Sequence, residues 1–199
     1  NRHPHDGFDV YDWCIEGSIH LDSPLNGYAR WLATHHPTFF KRLENEGRAL
    51  LHIPREVHFT HWAAEASIDF IRRSVAEGKP FFCKTSIFDP HNPYEDYPLE
   101  YADRVTEGAL SRRIEDSRRN IAPTLERERN GSYFGSFDEF TDADIRNMRR
   151  GYYASVALMD DEYGRIIEVL RELDVLDNTL VIFVSDHGDM LGDHDLMVK

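Results

Sequence analysis

Thr179-Leu-Val-Ile-Phe-Val-Ser-Asp-His-Gly-Asp-Met-Leu-Gly-Asp-His-Asp-Leu-Met-Val-Lys199 decides how this chain reads. Leu180 to Val184 is a short apolar run of the kind that forms a buried strand. It stops at Ser185, and Asp186, His187, Gly188 and Asp189 follow. A carboxylate beside an imidazole is a pair of metal donors, and glycine lets the backbone bend close to an ion. In open α/β sheets, ligands bind beyond the carboxyl ends of strands, where this group would sit. The same residues also suit a solvated turn in which Asp186 caps a following helix.

A second β-type run, Phe81-Phe-Cys-Lys-Thr-Ser-Ile-Phe88, empties into Asp89-Pro-His-Asn-Pro-Tyr94. Neighbouring parallel strands would bring His91 to the same rim as Asp186. A histidine there can serve as an acid or donate to an anion, or it can be purely structural. Lys199 would add a cation able to neutralise an oxyanion; by composition alone it is an exposed lysine. Asp193-His-Asp195 offers either further ligands or a charged loop that braces the site. Ser185 is no esterase nucleophile, because no Gly-x-Ser-x-Gly elbow surrounds it.

Working outward, Ala63, Ala64, Ile68, Ile71 and Val75 recur at helical spacing between Thr60 and Ala76, and Gly78-Lys79-Pro80 ends the pattern. Thr141-Asp-Ala-Asp144 opens the strongest helix, with Thr141 as its cap. Ile145, Met148, Tyr152, Val156, Met159, Tyr163, Ile166, Ile167 and Leu170 form its apolar stripe, and Gly151 marks a bend. Short helices are expected over Tyr28 to Leu32 and Thr38 to Leu51. The charged stretch from Glu95 to Asp138 reads as a surface excursion with one short helix, and Asn130-Gly-Ser132 as a turn. Helix and strand alternate, which implies a mainly parallel sheet with helices on its faces.

The chain has 199 residues, enough for one domain. Its net charge of −13 argues against nucleic acid as a partner, since phosphate backbones want a basic face. An acidic chain can still hold an anion where a metal and a few cations gather. No apolar run reaches the roughly 18 residues of a membrane helix, and the polar start Asn1-Arg-His-Pro-His-Asp6 is not a signal peptide. Cys14 and Cys83 give no disulfide framework, and Cys83 is expected to be a small buried hydrophobe. His3 and His5 are expected to be solvated.

Taken together, these blocks resemble the sulfatase family of the alkaline-phosphatase superfamily. Asp177-Asn-Thr-Leu-Val-Ile-Phe-Val-Ser-Asp-His-Gly-Asp-Met-Leu-Gly-Asp-His194, with Lys199 after it, is similar to that family's second metal-binding block. Tyr153 to Ile167 resembles the helix leading into it, Pro80-Phe-Phe and Phe88 to Tyr94 the central strand and substrate loop, and Phe8-Asp9 a stretch downstream of the first catalytic blocks. The resemblance implies an α/β, alkaline-phosphatase-like, mostly parallel sheet with helices on both faces, incomplete in this chain. It implies that Asp186 and His187 ligate one divalent cation, calcium or manganese/magnesium, with the imidazole tilting toward manganese. Lys199 and His91 would contact the substrate, a small-molecule or glycan sulfate ester, and His91 would be catalytic.

The family's nucleophile, a formylglycine matured from Cys or Ser in a Cys/Ser-x-Pro/Ala-x-Arg motif, has no counterpart here. Neither Cys14-Ile-Glu-Gly-Ser18 nor Cys83-Lys-Thr-Ser-Ile87 fits. Residues 1–199 are therefore expected to be part of a single sulfatase-like catalytic domain, lacking its N-terminal nucleophile block and its C-terminal portion, and inactive in isolation. The expected activity of the intact protein is metal-dependent hydrolysis of sulfate esters. Phosphonate monoester or phosphodiester hydrolysis, and a non-catalytic sulfatase-like binding module, are the alternatives.

Overall fold

The computed structural model describes residues 7–14, 16–18, 20–115, 123, 124, 127 and 135–199. His3, His5 and the Asn130-Gly-Ser132 stretch expected to turn lie outside the described residues. Five helices carry the described fold: α1 (Gly27–His35), α2 (Pro37–Glu46), α3 (Phe59–Ala76), α4 (Leu99–Ala102) and α5 (Asp142–Glu172).

Caps set the ends of the two long helices. The His58 side chain accepts the backbone N–H of Thr60 and starts α3 one residue earlier than periodicity suggests. Thr141 and Asp144 form the expected capping box of α5, each accepting the other's backbone N–H. The core is divided among clusters rather than pooled. Tyr28, Leu32, Leu43, Ile53, Val57, Phe59 and Trp62 join α1, α2 and the start of α3. Ile68, Ile71, Val169 and Leu170 lock the far ends of α3 and α5 together. Tyr101 and Val105 pack on Ala154 and Leu158 of α5, and Phe137 and Met197 on Ile145.

Helix α5 runs unbroken through Gly151 and departs from the expected pattern on its buried face. Its deepest line contains charge: Arg149 and Glu162 are buried among Ile145, Ala154, Leu158 and Val169, whereas Val156 of the predicted stripe is exposed. Glu162 is fully buried and accepts from Arg55 (2.8 Å), His61 (3.0 Å) and Arg165 (2.6 Å). Burial on its own would raise this carboxyl, but those three donors overcome it and hold it at about 2.

The expected parallel sheet is not formed among the described residues, which contain no named strand. Residues 81–88 and 179–184 run extended without a hydrogen-bonded ladder. The first has one side tied to α3, where Phe81 meets Phe70 edge-on and Thr85 Oγ1 lies 2.7 Å from Ser67 Oγ, and its other side open, with Phe82 73% exposed. The second is exposed on both sides from Leu180 to Val184, although the Phe183 ring meets Tyr163 of α5 edge-on at 5.5 Å. The physical reason is that an extended segment satisfies its N–H and C=O groups only against a neighbouring strand, and helices α3 and α5 cannot supply one. Cys83 is half-buried in the α3–α5 cluster, and both cysteines are free thiols. Burial pushes the Cys14 thiol up to about 12.

Glu162→Ala would leave Arg55, His61 and Arg165 without their shared acceptor and is expected to cost about 3–5 kcal/mol of unfolding free energy. The folded carboxyl titrates below its ordinary value of about 4.3, so its contribution is present above that pH and is lost as pH falls toward about 2. Urea unfolding at pH 7 and at pH 3 should show a smaller difference between variant and parent at pH 3. An equal difference at both values would refute the role of the charge.

Candidate active site

The segment after the first extended run turns sharply, with cis peptide bonds at Asp89–Pro90 and Asn92–Pro93. His91 sits between them. Its Nδ1 lies 2.9 Å from the Asn92 carbonyl and therefore donates, which leaves Nε2 with the lone pair. That lone pair faces Lys199 Nζ at 2.7 Å, across 108 residues of chain. The two residues expected to contact the substrate are thus brought together, as an ammonium–imidazole pair sharing one proton-bearing contact.

Asp186 and His187 follow directly on the second extended run. The Asp186 side chain is 89% exposed, so it is neither buried nor capping a helix; its Oδ1 accepts the His187 N–H at 2.9 Å. His187 Nδ1 lies 2.7 Å from the Gly188 carbonyl and donates to it. A neutral ring then presents the Nε2 lone pair, 3.7 Å from Asp186 Oδ2. One open carboxylate and one imidazole nitrogen in ligating tautomer, side by side, suit a divalent cation. Two donors are fewer than any such ion takes.

What ties the two loops together escaped the sequence reading. Tyr94 Oη donates to Asp189 Oδ2 at 2.7 Å, clasping the His91 segment to the Asp186 segment. Tyr94's own backbone rests on α5 at Gly151, where an added Cβ would stand 1.9 Å from the Tyr94 carbonyl oxygen. Gly151 is thus a notch that lets a helix touch the segment that carries His91. The motif blocks held both Tyr94 and Asp189, but nothing in their spacing paired them.

Residues 190–198 double back on themselves through Met190 N–Val198 O, Leu191 N–Met197 O and Gly192 N–Leu196 O bonds, which place Lys199. Leu191, His194 and Asp195 have left-handed φ of 48°, 55° and 60°, each an unfavourable conformation for a side chain. Arg149 holds that geometry from within α5. It donates Nε to the Leu191 carbonyl at 2.9 Å, a terminal nitrogen to Ser111 O at 2.8 Å, and the other to Asp193. Arg113 pairs with Asp195. Asp193 and Asp195 therefore brace the loop through these two arginines.

A further cluster lies beneath His91 and was not foreseen. His58, Asp89 and Asp96 are buried with donor atoms within 4.8 Å of one another, and His58 Nε2, Asp89 Oδ1 and Asp96 Oδ1 lack partners. Burial pushes the His58 imidazole down to about 3, so the ring is neutral. Burial pushes both carboxyls upward, and Asp89 raises Asp96 further.

Residues 28–197 match the family model described as Sulfatase. The chain belongs to the sulfatase family. An arylsulfatase of Clostridium perfringens is 35% identical over 144 residues, covering 72% of this chain and 29% of that protein. The multifunctional alkaline phosphatase superfamily protein PehA of Trinickia caryophylli is 30% identical over 158 residues, covering 74% of the chain and 30% of PehA. A choline-sulfatase of Rhizobium meliloti is 41% identical over 66 residues, 33% of the chain and 13% of that enzyme. The chain thus spans under a third of the length of these relatives.

Gly151→Ala should push the Tyr94 backbone off α5 and cost about 1–3 kcal/mol, as overpacking does. Gly164→Ala on the same helix meets open space and should stabilise by about 0.5–1 kcal/mol. Urea midpoints of the two variants moving in the same direction would refute the notch.

Proposed function

We propose that this chain is the part of a sulfate-ester hydrolase that carries two metal ligands, Asp186 and His187, and two substrate-facing groups, His91 and Lys199. The observation that carries the reading is the Lys199–His91 contact of 2.7 Å, made beside an exposed Asp186–His187 pair. Membership of the sulfatase family supports the reaction class. A tetrahedral sulfate ester presents non-bridging oxygens that attract an ammonium, and a leaving oxygen that needs a proton.

In this reading Lys199 binds and orients the anionic oxygens. His91 is held by the Asn92 carbonyl so that Nε2 points to the same place, and the proton between Nζ and Nε2 is the one available to the departing alcohol. The cation held by Asp186 and His187 would supply charge neutralisation for the nucleophile and the transferring group. Calcium or manganese/magnesium fits a carboxylate–imidazole pair completed by further oxygens. The nucleophile, a formylglycine, and the remaining ligands would come from outside these residues. The extended segments 81–88 and 179–184 would be strands of a parallel sheet, paired with strands that this chain does not contain; their open apolar sides support this. The net charge of −13 leaves sulfate recognition to these local cations. Among the described residues, no helix is long and apolar enough to cross a membrane.

The test uses the longer protein that contains this chain, with an aryl sulfate and an aryl phosphodiester assayed side by side. Asp186→Ala should lower kcat/KM for the sulfate at least ~100-fold and reduce bound metal, while His91→Ala should lower kcat with metal content unchanged. Retained sulfatase activity in Asp186→Ala would overturn the proposal. A larger rate on the phosphodiester would assign the alternative chemistry, and no hydrolysis of either by the parent would indicate a binding module.

A further inference from the structure

We infer that Asp89 and Asp96 hold one proton between them, and that this shared proton seats the 89–96 segment and thereby positions His91. The two carboxylates lie with their donor atoms within 4.8 Å of each other, and the Asp89 side chain is 1% exposed. Two ionised carboxylates that close and that deeply buried would repel strongly and lack water to solvate them. Some positive charge must compensate, and the surroundings limit what it is.

His58 does not supply it. Its Nδ1 accepts the Thr60 N–H at 3.2 Å, so the neutral ring carries its proton on Nε2 and is not an imidazolium. That same tautomer rules against a metal: the Nδ1 lone pair is committed to the helix cap and Nε2 is a donor, so the ring offers no free ligating nitrogen. Thr60 Oγ1 donates to Asp89 Oδ2, which leaves Asp89 Oδ1 without a partner, as is Asp96 Oδ1. Among the described residues no lysine or arginine pairs with either carboxylate. The other titratable groups that face Asp96 are acidic or neutral: Glu95 beside it, and Glu16 and Tyr28 from other segments. Behind His58, His61 is spent on Glu162. A proton is the remaining counter-charge, and one is enough to turn repulsion into a hydrogen-bonded acid–carboxylate pair.

The placement gives this pair its consequence. Asp89 opens the segment that carries His91, and Asp96 closes it, with Asp96 O also receiving the Ile53 N–H at 2.9 Å. Drawing the two ends together sets the turn from which His91 reaches Lys199. Loss of the proton would separate the ends and move His91. Burial pushes the pair upward, so the shared proton leaves above the ordinary aspartate value. Folding therefore takes up that proton, and its contribution to stability is present below about pH 4 and declines as pH rises into the neutral range.

The pairing itself is independent of the hydrolase reading; only the catalytic meaning of His91 rests on it. The test is carbon-detected NMR on this 199-residue chain, following aspartate carboxyl and His91 ring resonances from pH 4 to 9. One aspartate titration above about pH 6 is expected, with His91 resonances moving at the same midpoint. Asp96→Asn and, independently, Asp89→Asn should each abolish the linked His91 change. All aspartates titrating below about pH 5 would overturn the shared proton, as would Mn2+ at micromolar concentration selectively broadening these two carboxyls but not those of the Asp96→Asn chain. A high titration with unmoved His91 would overturn the positioning role. Failure of hydrolysis in the longer protein would bear on the proposed function and leave this result standing.

Discussion

A guanidinium buried inside a helix is the constraint on which the site depends. Arg149 lies on the deep face of α5 and spends its donors on Leu191 O, Ser111 O and Asp193. The loop it grips contains three non-glycine residues in left-handed conformation, which no local preference favours. That loop ends at Lys199. The position of the Lys199 ammonium is thus set by a charge buried elsewhere in the fold, and a buried charge of this kind is tolerated because each of its nitrogens finds an acceptor.

The same helix organises the rest of the site through three unlike contacts. Arg149 holds the Lys199 loop, the missing side chain of Gly151 admits the Tyr94 backbone, and Glu162 anchors Arg55, His61 and Arg165. Apolar clusters at either end of α5 keep it against α3, α4 and the 137–145 region. A long helix with apolar ends and a polar deep seam is a scaffold that specifies orientation more than it adds stability. The Tyr94–Asp189 clasp then ties the two loops to each other, so His91 and the Asp186–His187 pair are held by one frame.

The extended segments show a different kind of dependence. Residues 81–88 and 179–184 have the composition of buried strands, yet their outer sides are exposed and their backbones unladdered. Residues 81–88 meet α3 on their inner side through Ser67–Thr85 and Phe70–Phe81, whereas 179–184 touches α5 through the exposed Phe183 ring. Helix contacts therefore fix where the first segment lies, while the hydrogen bonding of both calls for strands from elsewhere.

The sequence by itself determined the local features. Caps at Thr141, the period of α3 and the apolar run into Asp186-His187 depend on residues within a few positions of one another, and family membership follows from the same blocks. It placed His91 and Lys199 in separate blocks and could only suggest that they meet. Tertiary structure decided the rest, because deciding contacts such as Arg149–Leu191 and His91–Lys199 join residues 42 and 108 positions apart and involve charged types that read as surface. Arg149 and Glu162 break an apolar stripe on paper but are the buried seam in space. The notch that Gly151 offers the Tyr94 backbone shows only in space, and Asp89 and Asp96 read as loop charges and are a buried pair. Periodicity records which residues avoid water on average; it cannot record which charge finds its partner in the folded chain.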